Sequence, residues 1–217
     1  MVTDFEQAIF LPDIVIILAE AQRPMFDKFR AYCERTTHFT EEQYAFMESL
    51  FVPKNFKKGE FLLREGEIAK FGVFVVKGFL RSYIIDHKGK EHILQFAPEN
   101  WWIGNLESAM NSVPSAYFID AIEDTGVLVQ DRPAFQKMME ELPAFSSSFH
   151  TGMQKSASAK DKRIIASLSA SAEERYTGFL QKYPSIAQRV PQHMLASYLG
   201  ISPETLSRIR KQMSRKK

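Results

Sequence analysis

The 217-residue chain contains a single cysteine, Cys33, and lacks a long apolar run. One cysteine excludes an intrachain disulfide and any all-cysteine metal or iron–sulfur site within one chain. The apolar stretch nearest the N-terminus, residues 14–19, is too short for a bilayer-spanning helix, which needs about 20 residues. Acidic residues precede it, where a signal peptide would have basic ones. We therefore expect a cytoplasmic protein with no membrane partner.

Motifs for catalysis or metal binding are also lacking. The histidines are scattered along the chain, at His38, His87, His92, His150 and His193. They form no His-x-His cluster beside a carboxylate, and no nucleophile–base motif is present in the sequence. Zinc and acid–base sites need such groups close together. We therefore predict no catalytic residue, no metal site and no cofactor. An enzyme built on a β-barrel of the cupin kind is the third of three functional hypotheses.

Charge is distributed unevenly along a chain of otherwise ordinary composition, 45% apolar and 25% charged with a net charge of +2. From Ser171 onward nine Lys or Arg face three Glu, a net charge of +6, which leaves −4 for the preceding part. A basic module joined to an acidic one suits nucleic-acid binding, because phosphate neutralisation supplies most non-specific affinity. The alternative is a frayed basic tail.

The sequence pattern predicts an α+β chain in four parts: 1–24, 25–143, 144–168 and 169–217. Residues 1–24 are interpreted as an N-terminal extension, native or from an upstream start codon, because an amphipathic pattern begins at Met25. Short apolar runs from 52 to 132, separated by turn residues, predict an antiparallel barrel or sandwich with strands at 71–76, 79–85 and 92–96. Thr40 is the predicted N-cap of a preceding helix.

Residues 144–168 predict a long connecting helix. One stripe of this helix comprises Phe145, Phe149, Met153, Ser156, Lys160 and Arg163. Its N-terminal half is apolar and its C-terminal half is polar or small. Two interpretations stay open: a homodimer interface, or a connector packed on its own β domain.

A helix-turn-helix is predicted at 192–211. Ala196 is small where two helices cross, Gly200 can take the left-handed conformation that ends a helix, and Ser202 caps the next one. Pro203 fits the first helical position. Apolar residues face inward on both helices, which leaves a polar outer face on the second.

That outer face is suited to the major groove. Arg208 can donate a bidentate pair to guanine and Glu204 can accept from cytosine, although the two could instead pair with each other. Further DNA contacts are predicted near helix N-termini and along the same face, at Gln192, Ser202, Thr205, Ser207 and Lys211. Double-stranded DNA is therefore the predicted macromolecular partner. The second hypothesis is a ligand-binding module whose DNA-reading ability has been lost.

From about Met25 onward the sequence resembles the family of the cyclic-AMP receptor protein and the fumarate and nitrate reductase regulator. The local matches are Lys58-Gly59-Glu60 with Leu63, Glu65-Gly66-Glu67, residues 75–78 before Leu80-Arg81, and residues 202–208 against that family's Ser-Arg-Glu-Thr-Val-Gly-Arg. The resemblance implies a jelly-roll-like β-roll that holds an effector, a homodimer formed through the long helix, and a winged-helix DNA domain. It makes Glu204 and Arg208 the expected base contacts, with Pro203 in place of an Arg.

The resemblance also locates a possible ligand pocket, at Trp102, Gly104, Asn105, Ser115 and Ala116. Asn105 stands where the family has the Glu that binds ribose, and Pro114 where it has the Arg that binds the cyclic phosphate. Losing that Arg removes the strongest contact for an anionic ligand. We therefore expect an unknown small-molecule effector other than cyclic AMP. A full wing hairpin is not expected after Lys211, and either the basic tail or residues 185–190 would replace it.

Overall fold

The computed structural model describes the backbone of residues 12–215 and the side chains of residues 22–70 and 72–215. Residues 1–11 of the predicted N-terminal extension, and Lys216 and Lys217 of the basic tail, lie outside the described residues. The remainder forms an antiparallel β-roll between two groups of helices, joined by a long helix. The predicted α+β fold class is confirmed.

Two four-stranded antiparallel sheets make the β-roll. The first has the spatial order β1 (Val52–Phe56), β8 (Thr125–Asp131), β3 (Phe71–Lys77), β6 (Trp102–Ile103). The second has the order β2 (Phe61–Leu63), β7 (Phe118–Ala121), β4 (Leu80–Ile85), β5 (Glu91–Ala97). A short helix, α3 (Leu106–Asn111), lies between β6 and β7. Alternation along the strands gives one apolar face to the interior, where Val73, Leu80, Ile119 and Val127 are buried in a shared core.

The outer face of the first sheet is covered by helices from both sides of the β segment. These are α1 (Pro12–Cys33), α2 (Glu41–Ser49), α4 (Arg132–Glu141) and the first turns of α5 (Pro143–Ser169). Thr40 caps α2 as predicted, in a capping box in which its hydroxyl accepts from the Gln43 N–H and its own N–H donates to the Gln43 side chain. The buried contacts centre on Phe29, Met47 and Phe74.

The amphipathic pattern that begins at Met25 lies inside a longer helix. α1 begins at Pro12 and continues through Pro24, which lies inside it. Proline lacks an N–H and disfavours the helix interior without forbidding it. Among the described side chains of α1, those of Met25 and Phe26 in this pattern pack against the core.

Both ends of the predicted stripe on α5 contact the rest of the protein, whereas its middle is exposed. Phe145 is buried and Phe149 packs with it against the first sheet, while the Arg163 guanidinium donates to the Leu94 carbonyl at 2.8 Å and lies over the Tyr198 ring. The connector interpretation therefore accounts for the two ends of this stripe. Met153 in its middle is exposed, and Ile164, Ile165 and Leu168 are 56%, 61% and 84% exposed.

Four helices form a C-terminal bundle, which packs on the outer face of the second sheet: α6 (Ala172–Lys182), α7 (Pro184–Arg189), α8 (Gln192–Leu199) and α9 (Pro203–Arg215). Ser171 caps α6 in a second capping box, with Glu174. The bundle and the sheet share one apolar core, in which Ile93 and Phe96 of β5 meet Leu195 and Leu199 of α8. The C-terminal bundle is thus docked on the β-roll.

Residues 185–190 do not form the proposed substitute for a wing. Pro184 occupies the first position of α7, which runs to Arg189, so this segment is helical. The C-terminal bundle is helical throughout its described residues, apart from short connections. The basic tail also differs from expectation, because α9 continues through Arg215 and carries that charge on a helix.

Candidate nucleic-acid interface

The predicted turn between α8 and α9 has the geometry of a helix-turn-helix. Gly200 has a φ of 67°, a left-handed conformation that favours glycine, and the next residue, Ile201, donates its N–H back to the Ala196 carbonyl at 3.0 Å. The Ser202 hydroxyl accepts from the Thr205 N–H at 3.2 Å, so Ser202 caps α9, and Pro203 is its first residue. The two helices are therefore held in a fixed relation by local backbone chemistry.

Apolar side chains lock the pair together. Leu206 and Ile209 of α9 are buried with Leu195 and Leu199 of α8, and Ala196 has no exposed surface where the helices cross. A small residue at the crossing permits close approach of the two backbones. The apolar stripe of α9 is thereby fully used in packing, which leaves its polar side outward.

The polar face of α9 is exposed as predicted, in that Glu204, Ser207, Arg208 and Lys211 all lie at the surface while Thr205 is half-buried. Within residues 12–215, Glu204 and Arg208 form no salt bridge with each other, so both remain available. A side-chain hydrogen bond with Ser202, together with the charge of Lys90, lowers the pKa of Glu204. Glu204 is therefore a carboxylate acceptor at neutral pH.

Gln192 is exposed at the first position of α8. Its helix has Pro191 as N-cap and no side-chain cap, so the first N–H groups of α8 have no side-chain acceptor. Such a terminus suits a phosphate, because unpaired N–H groups and the helix dipole both favour an anion.

Docking of the C-terminal bundle depends on residues that the sequence patterns did not reveal. The Arg189 guanidinium, over the Phe79 ring, donates to Glu99 at 2.7 and 3.0 Å, to Glu123 at 2.7 and 3.1 Å, and to the Gly78 carbonyl at 3.1 Å. These hydrogen bonds raise the pKa of Arg189 further above its ordinary value. They tie α7 to turns at one end of the β-roll.

A second docking point lies at β5, an edge strand of the second sheet. The Ser197 hydroxyl accepts from the Ile93 N–H at 3.0 Å and donates to the Glu91 carbonyl at 2.8 Å. The neighbouring Tyr198 ring packs on Phe96 with centroids 5.2 Å apart. Since edge strands present unpaired backbone groups, Ser197 satisfies two of them. A Tyr pointing away from the α8–α9 core was the available sequence signal for this contact.

The predicted ligand pocket is closed by hydrogen bonds among its own residues. The Asn105 side chain caps α3 through the Ser108 N–H and donates to the Ser115 hydroxyl at 3.0 Å, and both side chains are buried. The Ser115 hydroxyl also accepts from the Tyr117 N–H and donates to the Tyr117 carbonyl. One donor and two acceptor sites are all that a hydroxyl has, so Ser115 has none left for a ligand.

The other predicted pocket residues do not converge on that pair. The Gly104 carbonyl accepts from the Tyr117 hydroxyl at 3.1 Å, and Ala116 is exposed. Trp102 packs with the core outside the first sheet, 5.3 Å from Phe74. Trp101 instead packs in the core between the sheets and against Tyr183 of the C-terminal bundle.

Other candidate chemistry is limited in the described part of the chain. Burial raises the pKa of the Cys33 thiol to about 12, which keeps it protonated. Residues 12–215 contain no group of three or more His, Cys, Asp or Glu that could hold a metal ion. Their helices include none with the length and apolar content of a membrane span.

Comparison with known proteins places this geometry in context. Residues 53–142 match the model of the cyclic nucleotide-binding domain family. The transcriptional activator protein anr of Pseudomonas aeruginosa is 29% identical over 168 residues, which cover 70% of this chain and 66% of that protein. The sequence and structural matches together place the chain with the relatives that the motifs indicated. The chain is therefore similar to proteins of the family of the cyclic-AMP receptor protein and the fumarate and nitrate reductase regulator.

Solved structures share the fold of this chain. FixK2 from Bradyrhizobium japonicum has a TM-score of 0.66 and 19% identity over 76% of this chain and 85% of its own. A transcriptional regulator of the crp/fnr family from Eubacterium rectale has a TM-score of 0.62 and 18% identity over 82% of this chain and 85% of its own. The β-roll, long helix and C-terminal helices are therefore shared with these structures, and the fold that the resemblance implied is confirmed.

Proposed function

We propose that this protein is a sequence-specific, DNA-binding transcription regulator in which the β-roll senses a small molecule. The observation that carries the proposal is the exposed polar face of α9, held in place by the buried pair Leu206 and Ile209. Glu204 and Arg208 are one helical turn apart on that face, and their side chains match the acceptor and donor edges that base pairs present in the major groove. The anr match, a transcriptional activator, supports the same conclusion.

DNA docking would begin at helix N-termini. Ser202 and Thr205 lie in the first turn of α9, and Gln192 begins α8, so both termini can meet the sugar–phosphate backbone. Lys211 extends the same face by one further turn. We propose that these residues fix the position on the duplex, whereas Glu204 and Arg208 select the sequence.

We propose a homodimer formed through α5. Ile164, Ile165 and Leu168 are exposed apolar residues near the C-terminal end of this helix, and Met153 lies three turns earlier at an exposed position. An apolar helix face of this kind favours burial against a second copy. The proposed interface shares Met153 with the predicted stripe but excludes Phe145 and Phe149, which are packed on the β-roll.

We propose that the effector is not cyclic AMP. Asn105 supplies no charge for a ribose contact, Pro114 supplies no phosphate contact, and Ser115 is fully hydrogen-bonded within the protein. A cyclic nucleotide would have to break this network without a compensating charge-assisted bond. We propose that the β-roll, residues 25–143, responds to the effector. Residues 144–168 would connect it to the DNA-binding residues 169–217.

The test measures the DNA affinity of two arginine variants by fluorescence anisotropy. Each variant is titrated against a DNA sequence that the wild type selects as its operator and against random DNA. Arg208→Ala should lose roughly 10- to 100-fold in preference for the operator, as a lost bidentate contact to a base costs about 1–3 kcal/mol of discrimination. Arg210→Ala, an exposed arginine off that face, should weaken both DNAs alike. Equal loss of preference in both variants, or in neither, would contradict the assignment of Arg208.

A further inference from the structure

The tip of the β4–β5 hairpin is a preformed basic turn. The Asp86 carboxylate accepts from the N–H groups of Lys88 and Lys90 at 2.9 and 3.0 Å, and its second oxygen is 2.8 Å from the His92 ring. Gly89 takes a φ of 77° in this turn. The backbone of the tip is thus fixed by Asp86.

The lysine side chains at this tip, Lys88 and Lys90, are exposed and form no salt bridge in the described part of the chain. The Asp86 carboxylate is hydrogen-bonded to the backbone of the turn and to His92, and it makes no direct ion pair with either ammonium group. The tip therefore offers two exposed ammonium groups on a rigid support.

This tip lies beside the DNA-facing end of α9. Ser197 of α8 is hydrogen-bonded to the backbone of Glu91 and Ile93, immediately after the tip, and α8 leads through Gly200 into α9. The charge of Lys90 acts on Glu204, in the first turn of α9. The tip of the β4–β5 hairpin in the β-roll and the polar face of α9 in the C-terminal bundle therefore form one continuous exposed region.

The geometry of the DNA major groove indicates which part of the duplex this exposed region would contact. When the N-terminal part of a recognition helix enters the major groove, phosphates line both edges of that groove, which is about 12 Å wide. A basic element beside the helix N-terminus then faces the sugar–phosphate backbone. In the described residues of the C-terminal bundle no hairpin supplies this contact, because residues 172–215 are helices and short connections.

We propose that the β4–β5 hairpin of the β-roll is a second DNA-contact element, in which Lys88 and Lys90 neutralise backbone phosphates beside the groove entered by α9. This inference rests on the proposed DNA-binding function and extends it to the other part of the chain. It makes DNA affinity depend on docking of the C-terminal bundle, since only the docked arrangement places the hairpin next to α9.

The test is the salt dependence of DNA binding by the full chain carrying Lys88→Gln and Lys90→Gln. Each lost phosphate contact should make the negative slope of log K against log salt shallower by about 0.9, so by about 1.8 per protomer for the pair. If the affinities converge at about 1 M salt, each lost contact should weaken binding at about 0.1 M salt by roughly eightfold. The loss should be equal on the operator and on random DNA, because phosphates carry no sequence information. Lys88→Arg with Lys90→Arg should retain the slope.

A matched control carries Lys28→Gln and Lys70→Gln, two exposed lysines of α1 and the segment before β3, on the side of the other sheet. It should keep the wild-type slope. A hairpin variant with the slope of this control overturns the inference while leaving the proposed function intact. If the wild type itself selects no DNA sequence, the proposed function fails and the hairpin proposal falls with it. Equal thermal unfolding of all variants shows that the effects are not due to misfolding.

Discussion

Replacing Arg189 with Gln should loosen the C-terminal bundle from the β-roll without unfolding either. Arg189 joins α7 to two turns of the β-roll through Glu99 and Glu123. It also donates a hydrogen bond to the Gly78 carbonyl, in a third turn. Gln cannot span both carboxylates, and it carries no charge. After the substitution Glu99 keeps only its hydrogen bond from the Gly78 N–H, and two carboxylates face each other without a cation.

The size of the effect follows from exposure. Hydrogen bonds to charged groups contribute about 1.5–3 kcal/mol each when shielded, and exposed pairs contribute about 0.2–1 kcal/mol. Here the side chains are partly shielded, with Arg189, Glu99 and Glu123 exposed by 28%, 34% and 36%. We expect a loss of about 2 kcal/mol in docking free energy, which shifts the docking equilibrium by roughly 30-fold.

Amide hydrogen exchange at Ile93 measures docking directly, because the Ser197 hydroxyl protects that N–H only while the bundle is docked. Exchange at Ile93 should accelerate by roughly 30-fold in Arg189→Gln, the same factor as the docking equilibrium. Arg35→Gln, which removes an exposed arginine near the end of the α1 segment, is the control. Unchanged exchange at Ile93 in Arg189→Gln would refute the role given to this guanidinium.

Glu99 adds a pH dependence with a defined sign. Burial acts to raise the pKa of its carboxyl, but the hydrogen bonds from Arg189 outweigh burial and the pKa is lowered. The resulting stabilisation is complete above the ordinary value of about 4.5 and is lost as pH falls through the lowered value in the folded protein. The stability difference between wild type and Arg189→Gln, from denaturant unfolding, should therefore shrink below about pH 4.5. A difference that grows on acidification would contradict this linkage.

Three further results are expected. Leu206→Ala should lower the free energy of unfolding by about 3 kcal/mol in urea, since Leu206 has no exposed surface, whereas Leu106→Ala, at an exposed position outside the proposed interface, should change it less; equal effects would refute the α8–α9 core. Leu168→Glu should dissociate the dimer in analytical ultracentrifugation and Leu106→Glu, also exposed, should not; a wild-type monomer would refute the α5 interface. Cyclic AMP should leave the melting temperature unchanged, and a rise would show that the Ser115 network opens.

Local chemistry made much of the fold predictable. Thr40 and Ser202 were recognisable as caps because each is followed by a helical pattern, and both accept the expected N–H groups. Gly200 and Pro203 fix the turn through backbone conformation alone. The predicted strands at 71–76, 79–85 and 92–96 agree with β3, β4 and β5 to within about one residue at each end.

Long-range pairs were not predictable from a single sequence. Arg189 lies 90 residues from Glu99 and 66 from Glu123, so no local spacing connects them. Trp102 looked like a pocket residue because it adjoins Gly104 and Asn105, but its strand turns it toward Phe74 on the opposite side. The stripe on α5 was interpreted without knowing which side faced the β-roll, and packing of Phe145 on the first sheet decided this.

Random-site selection with the wild-type protein tests the central proposal most directly. A dimer presenting two copies of α9 should enrich a twofold-symmetric sequence whose half-site centres are about one helical turn apart, roughly 10 base pairs. Arg208→Ala selected in parallel should lose enrichment at one position of each half-site while retaining the others. Recovery of no enriched sequence by the wild type would contradict the proposal that this exposed helix reads DNA.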